Sequence, residues 1–319
     1  MFKSAFVFTA IGFLGFAAEP VFAQTIGYAD ALDQLAVACG ADIAKYCKNE
    51  NLGGGRVRGC LLLNQSKVSA PCIGSINALG VLLQKRAAAR ASVMSVCDVD
   101  IKRRCSGIQP GDGNLMECFY KTKENISPPC RQAVADAGFE VSLGPSSRSG
   151  SINLSSGDLV SSLQGVEAAA NISASQLRQL VNQSLADPSR TSRVGRPPLY
   201  EQLDSLAQIT IAIQFDFNSA RIRPDSFRAV GLMADALYHP YLQGYRFLIV
   251  GHTDAKGSRE YNLKLSQERA DAIRAALINP FGISPSRIEA VGLGEEQLLN
   301  RGNPEAAENR RVQLINIGK

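Results

Sequence analysis

Tryptophan is absent from the 319 residues, histidine occurs only twice, and cysteine is confined to the interval from Cys39 to Cys130. No block of Lys or Arg occurs either. The net charge is +5, but residues 199–319 carry 14 basic and 14 acidic side chains and are neutral. A nucleic-acid footprint needs a clustered basic face, so this distribution argues against such a partner. No segment after the N-terminal stretch is apolar enough to span a bilayer, which takes about 20 apolar residues. What remains is a chain of ordinary globular composition, 45% hydrophobic and 20% charged, with room for about two domains.

The N-terminus reads as an export signal. Lys3 supplies a positive start, residues 5–18 form an apolar run, and Glu19 and Pro20 break it before Ala23. Small or aliphatic residues at that point suit a signal peptidase. The run is too short for a membrane anchor, and the first cysteine, Cys39, is too distant for a lipoprotein anchor. The expected mature chain runs from Gln24 to Lys319, with residues 1–23 as signal peptide.

Composition then divides the chain into residues 24–140 with all the cysteines, residues 141–198 rich in Ser and Gly, and residues 199–319. The first part is an internal repeat. Its cysteines form two sets, Cys39, Cys47, Cys60, Cys72 and Cys97, Cys105, Cys118, Cys130, with gaps of 8, 13 and 12 in each. Asp42 aligns with Asp100, Ile43 with Ile101, the Gly53–Gly55 turn with Gly111–Gly113, Ser69 with Ser127 and Pro71 with Pro129. Zinc sites usually bring Cys-x-x-Cys pairs or His, and this region has no His. An even cysteine count in an exported chain reads as disulfides instead. Each set allows three connectivities. The sequence does not choose among them, although an antiparallel helical pair would set Cys39 opposite Cys72 and Cys47 opposite Cys60. The expected fold of this part is all-α and disulfide-stapled, with repeats at 39–72 and 97–130. The cysteine spacing, with Asp-Ile and Gly…Cys-Leu around it, resembles the cysteine-rich repeat of the Golgi apparatus cysteine-rich protein. A spacer or a surface for an envelope protein partner is the role expected of residues 24–140.

Residues 141–198 are expected to be a flexible linker with short helices, one capped by Ser173 and carrying Leu177, Leu180, Val181 and Leu185 at helical spacing. In 199–319, "AQITIAIQF" alternates as a strand, Pro224 opens a helix that ends near Leu237, and "RFLIVGH" is a second strand. A helix over 259–278 and strands at 287–295 and 310–317 follow, a βαβαββ order of α/β type. On the 259–278 helix, Leu263, Ala270, Ile273 and Leu277 share an apolar face. Asn262, Ser266 and Arg269 form a polar stripe next to it. That stripe puts Arg269 at the core edge, facing the strand-to-helix loop that carries Thr253 and Asp254.

The segments "FDFNSARI" at 215–222, "GHTDAKGSREYNLKLSQERADAIRAAL" at 251–277, "GLGE" at 292–295 and "NRRVQL" at 309–314 resemble the OmpA-like peptidoglycan-binding domain, over about 199–319. The resemblance implies an α/β sandwich with a mixed sheet. It also implies that Thr253, Asp254 and Arg269 bind the diaminopimelate of the peptidoglycan stem peptide. Asp216, Asn218 and Asn262 are implied to shape or line that site, with Arg310 nearby. Free-ended diaminopimelate carries an ammonium and a carboxylate on one carbon. Asp254 can accept from the first and Arg269 can grip the second bidentately. Without ligand, Asp254 and Arg269 would be expected to pair with each other.

His252, beside this pair, reads as a residue that satisfies backbone groups and positions the loop. Asp216 with Asp254 could be drawn as an acid pair, but the resemblance makes both ligand-holding residues. No Ser-His-Asp or Cys-His set is apparent, and no residues call for a metal or cofactor. The expected function is therefore a non-catalytic, periplasmic wall-binding protein of a Gram-negative envelope, compatible with outer-membrane association. The alternatives are a wall-active enzyme, or a membrane-anchored stator- or porin-like protein that uses the same domain.

Overall fold

The computed structural model describes residues 25–109, 111, 113–139, 154–164, 172–186 and 198–319. The expected signal peptide, residues 1–23, lies outside the described residues.

Among the described residues, six α-helices form the cysteine-rich part: α1 (Tyr28–Tyr46), α2 (Arg56–Leu63), α3 (Ala70–Val96), α4 (Asp98–Arg104), α5 (Asn114–Lys121) and α6 (Pro128–Asp136). The repeat in sequence is a repeat in structure. Gly55 and Gly113 both enter a helix in the left-handed region, at φ 69° and 71°, a conformation glycine adopts without strain. The disulfides are nested in both copies. Cys39–Cys72 and Cys97–Cys130 each span 33 residues, and Cys47–Cys60 and Cys105–Cys118 each span 13. The aligned Asp and Ser pairs also find their reason here. Asp42 accepts hydrogen bonds from the backbone N–H and hydroxyl of Ser69, and Asp100 does the same for Ser127. Each carboxylate thus fixes the residue that precedes α3 or α6.

Next come α7 (Ser156–Leu163), α8 (Ala174–Ala186) and α9 (Pro198–Asp204). Ser155 and Asp158 form a reciprocal capping box at the start of α7, which satisfies two otherwise unpaired N–H groups. A four-stranded sheet follows, from β1 (Gln208–Ile211), β2 (Phe247–His252), β3 (Ile288–Gly294) and β4 (Val312–Asn316), in the order β1-β4-β2-β3. The β2–β3 pair is parallel and the two pairs made by β4 are antiparallel. Helices α10 (Phe227–Leu237) and α11 (Arg259–Ile278) connect the strands. This is the mixed α/β sandwich the motifs imply.

Every residue of β2 is buried, because both faces of the sheet are covered. Phe247 and Ile249 join a core with Ala270, Ile273 and Leu277 of α11 and Val230, Met233 and Leu237 of α10. Leu248 and Val250 face the other way, into a core with Leu177 and Val181 of α8 and Tyr200 and Leu203 of α9.

Two expectations change at this point. Within the segment read as a flexible linker, the described stretches 154–164 and 172–186 are packed: α7 contributes Leu159, Val160 and Leu163 to the first core, and α8 covers the second face. Leu159, Val160 and Leu163 bury α7, and Ala174, Leu177 and Val181 bury α8. The cysteine-rich part is also no separate bead. Tyr28, Leu32, Ile43, Leu52 and Leu61 lie in one continuous core with α10 and α11. At the join, Asp235 of α10 accepts from the backbone N–H groups of Tyr28 (3.1 Å) and Ala29 (3.0 Å). It caps the start of α1 from another element and binds Arg86 of α3 at 2.7 Å in a buried ion pair.

Candidate functional site

The site lies where the C-terminal end of β2, the N-terminal half of α11 and the segment before β4 converge. Close approach makes this possible. A Cβ on Gly251 would collide with the carbonyl of Ser266, and one on Gly292 with the backbone of Gln267. Glycine at both positions lets α11 lie directly on the β2–β3 pair. Ser266 accepts from the N–H of Gly294 at 2.8 Å, and Gln267 accepts from that of Gly292 at 2.9 Å. The helix is therefore fixed in rotation, and its Arg269 stands at the sheet's end.

The polar stripe on α11 is not next to the buried face; its first two members are buried. Asn262 and Ser266 are fully enclosed while Leu263 is only partly so. Hydrogen bonds to the neighbouring strand replace apolar packing at this end of the helix.

A cleft of about 170 Å³ opens beside Arg269, lined also by Phe215, His252 and Arg310. The guanidinium of Arg269 stacks over the Phe215 ring at 4.9 Å and donates from Nε to the carbonyl of Ser219 at 3.1 Å. Burial holds its pKa below the usual arginine value, opposed in part by Tyr261; the nearby Arg310 adds to the lowering and Asp254 works against it. The group keeps its charge and retains bonding capacity on its terminal nitrogens.

Asp254 is buried, and its partner is Arg310, not Arg269. Arg310 Nη1 donates to Asp254 Oδ2 at 2.6 Å, with the arginine side chain half exposed. The reason is strand register. Gly251 pairs with Val312 across the antiparallel β2–β4 ladder, and His252 donates to the carbonyl of Arg311 just beyond it. Continuing the two chains outward sets Thr253 opposite Arg310, one residue from Asp254, within reach of the long arginine side chain. The expected Asp254–Arg269 pairing is thus corrected. The Asp254 carboxylate also accepts from the N–H of Lys256 at 3.2 Å, which holds its loop.

The remaining expected residues divide. Thr253 is buried, its N–H bonded to the carbonyl of Gly294 at 2.9 Å and its hydroxyl without a partner among the described residues. Asn262 faces away from the cleft and donates to Glu295 at 2.6 Å. Burial raises the Glu295 pKa, and that bond opposes the rise. Asp216 pairs with Arg221 inside the hairpin 215–222, whose ends are bridged through Phe215 and Ile222. Asn218 turns that hairpin at φ 54°. Both residues build the wall on which Arg269 rests. His252 does not satisfy backbone groups with its ring: it is enclosed, and burial, reinforced by Arg311, pushes its pKa far down, with Gln313 acting in the opposite direction. It forms a neutral floor. Phe215 and Ser219 are the residues the sequence reading missed. The aromatic in "FDF" before an Asx-rich turn was the available signal for Phe215, whereas a backbone carbonyl such as that of Ser219 leaves none.

Fold and cleft together define a small mixed α/β domain with an arginine-lined cleft, beside which Arg310 holds the buried Asp254. Residues 214–311 match the OmpA family, and this part of the chain is an OmpA family domain. The peptidoglycan-associated lipoprotein of Pseudomonas putida is 38% identical over 102 residues, which cover 31% of this chain and 59% of that protein. The protein of the same name from Legionella pneumophila is 38% identical over 104 residues, 32% of this chain and 57% of that one. The chain thus spans less than two thirds of the length of these relatives. A crystal structure of the peptidoglycan-associated lipoprotein of Burkholderia pseudomallei is similar at 31% identity, covering 39% of this chain and 97% of that chain, with a TM-score of 0.29.

Proposed function

We propose that this chain is a non-catalytic anchor that holds peptidoglycan in the periplasm of a Gram-negative envelope, gripping the diaminopimelate of the stem peptide. The OmpA family match over 214–311 carries the reading, since it encloses Asp254, Arg269 and Arg310. Relatives named for association with peptidoglycan support it. So does the chemistry. A free diaminopimelate end presents an ammonium and a carboxylate on one carbon. Asp254 takes the ammonium and Arg269 takes the carboxylate with its free terminal nitrogens. Arg310, half exposed, swings to share the load once the ligand competes for Asp254. Thr253 offers its buried hydroxyl at the same loop. Asp216, Asn218 and Asn262 act from behind, by holding the hairpin and the helix start. Association with the outer membrane is compatible with this role.

Incubation of the purified chain with peptidoglycan sacculi tests the proposal. The chain is expected to sediment with them and to release no soluble muropeptide. Asp254→Ala and Arg269→Ala are each expected to weaken binding by at least about thirtyfold, the effect of leaving a ligand charge unpaired. Sedimentation of the double variant at wild-type level would overturn the site, and release of muropeptides would overturn the non-catalytic role.

A further inference from the structure

We infer that the first cysteine-rich repeat is a working part of the wall-binding site: Asn51, inside the loop closed by Cys47–Cys60, positions the hairpin against which Arg269 is held. The inference rests on the peptidoglycan-binding reading above and gives the cysteine-rich part a role in it.

The hairpin 215–222 forms one wall of the cleft. It supplies both the ring under Arg269 and the Ser219 carbonyl that accepts from its Nε. At the tip of the hairpin Phe217 is 99% exposed. Beyond Ser219, the hairpin's return limb is tied down by Asn51 from the cysteine-rich part. Asn51 Nδ2 donates to the carbonyl of Ala220 at 2.7 Å, and Asn51 Oδ1 accepts from the N–H of Ile222 at 3.1 Å. Ala220 is the residue next to Ser219. A single amide therefore satisfies a donor and an acceptor on the same limb and fixes where the Ser219 carbonyl points. Asn51 is itself held, because its Oδ1 also accepts from the N–H of Leu52 at 2.8 Å.

The neighbouring residues of this loop reach the other wall. Leu52 is buried in the shared core. Gly53 lies so close to α11 that a Cβ there would stand 3.1 Å from the carbonyl carbon of Ala275 and the nitrogen of Ala276. Residues 51–53 thus bridge the hairpin and the helix that carries Arg269. They set the spacing between the guanidinium and the carbonyl that orients it.

The second repeat provides an internal comparison. Its equivalent of Asn51 is Gln109, which is exposed. Its equivalent of Gly53 is Gly111, whose Cβ would meet nothing within 4 Å; instead Gly113, the equivalent of Gly55, docks on the OmpA domain, where a Cβ would stand 2.7 Å from the Gly244 nitrogen. The same turn serves as a foot in both repeats, and among the described residues Asn51 of the first is the side chain that reaches the cleft wall. Asn51 is a positioning residue; it touches no part of the ligand.

The test uses the full chain in co-sedimentation titrations with purified sacculi, with urea unfolding in parallel. Asn51→Ala removes both bonds to the hairpin and is expected to weaken wall binding about tenfold. Asn51→Asp keeps the acceptor for Ile222 but sets an oxygen against the Ala220 carbonyl, and is expected to weaken binding as well. Tyr120→Ala serves as the control for mere loosening. It removes the ring of the second repeat that packs on His239 at 4.6 Å, and it is expected to lower stability at least as much as Asn51→Ala while leaving wall affinity unchanged. Wild-type affinity in both Asn51 variants, alongside loss in Asp254→Ala, would overturn the positioning role and leave the wall-binding reading standing. Equal loss of affinity in Tyr120→Ala would overturn it too, by showing that any loosening suffices. A wild-type chain that stays in the supernatant would sink the wall-binding reading, and this inference with it.

Discussion

His239 and His252, the only two histidines in the chain, are both buried and held neutral. Burial, with Lys123 nearby, brings the pKa of His239 down to about 4, and burial with Arg311 brings His252 well below the ordinary value. The unfolded chain protonates both near pH 6.5. Below that pH the unfolded state binds more protons than the folded one, so stability falls as pH falls. The effect is complete above the unfolded value and is lost on acidification. Each histidine is expected to contribute a slope of about 1.4 kcal/mol per pH unit below about pH 6.5, flattening for His239 as the pH nears 4. Urea unfolding at pH 7.5, 6 and 5 checks this, and His252→Asn is expected to remove part of the slope. At this scale the placing of Asp254, Thr253 and Arg269 on the loop after β2 and on α11 was legible in the sequence. The partner of Asp254 was not, because the pairing of β2 with β4, and not distance along the chain, brings Arg310 next to it.

Among the elements, the sheet strands and both connecting helices were legible from alternation, from Pro224 and from the run of good helix formers after Ser258. The nested disulfides follow the helical pairing that the spacing suggested. The rotation of α11 was not legible. Its mean apolar face ends at Ala270, and nothing in a one-dimensional stripe tells that Ser266 and Asn262 are enclosed. Glycines of the facing strand decide that. Gly292→Ala would drive a methyl group into the Gln267 backbone and the Ser266 hydroxyl. A loss of about 1–3 kcal/mol in unfolding free energy is expected from such overpacking, with weaker sedimentation on sacculi, because α11 must move and it carries Arg269. Unchanged stability would mean that the helix does not rest on the strand as described.

For the whole molecule, the shared core predicts cooperative behaviour. Tyr28, Ile43 and Leu52 of the cysteine-rich part and Val230, Ile273 and Leu314 of the OmpA part belong to one cluster. Calorimetry of the oxidised chain is therefore expected to show a single transition; a separate transition for the cysteine-rich part would contradict the shared core. Asp235→Ala should be among the most damaging changes at the join. It leaves Arg86 charged and buried without its partner and uncaps the start of α1. A cost of about 3–5 kcal/mol is expected for breaking a buried pair from one side, measured as a lower urea midpoint.

By itself the sequence determined the local parts of this protein: the two cysteine repeats and their helices, the strand and helix order of the last third, and the loop and helix that bear Asp254 and Arg269. Those features depend on spacing, periodicity and turn chemistry within short windows, where neighbours along the chain are neighbours in space. Only the tertiary structure decided that Arg310 holds Asp254, that α7 and α8 cover the sheet, and that Asn51 reaches the wall behind Arg269. Each of these depends on which surfaces meet, and that is set by burying apolar area between segments far apart in sequence, a quantity to which every core residue contributes and no single motif records.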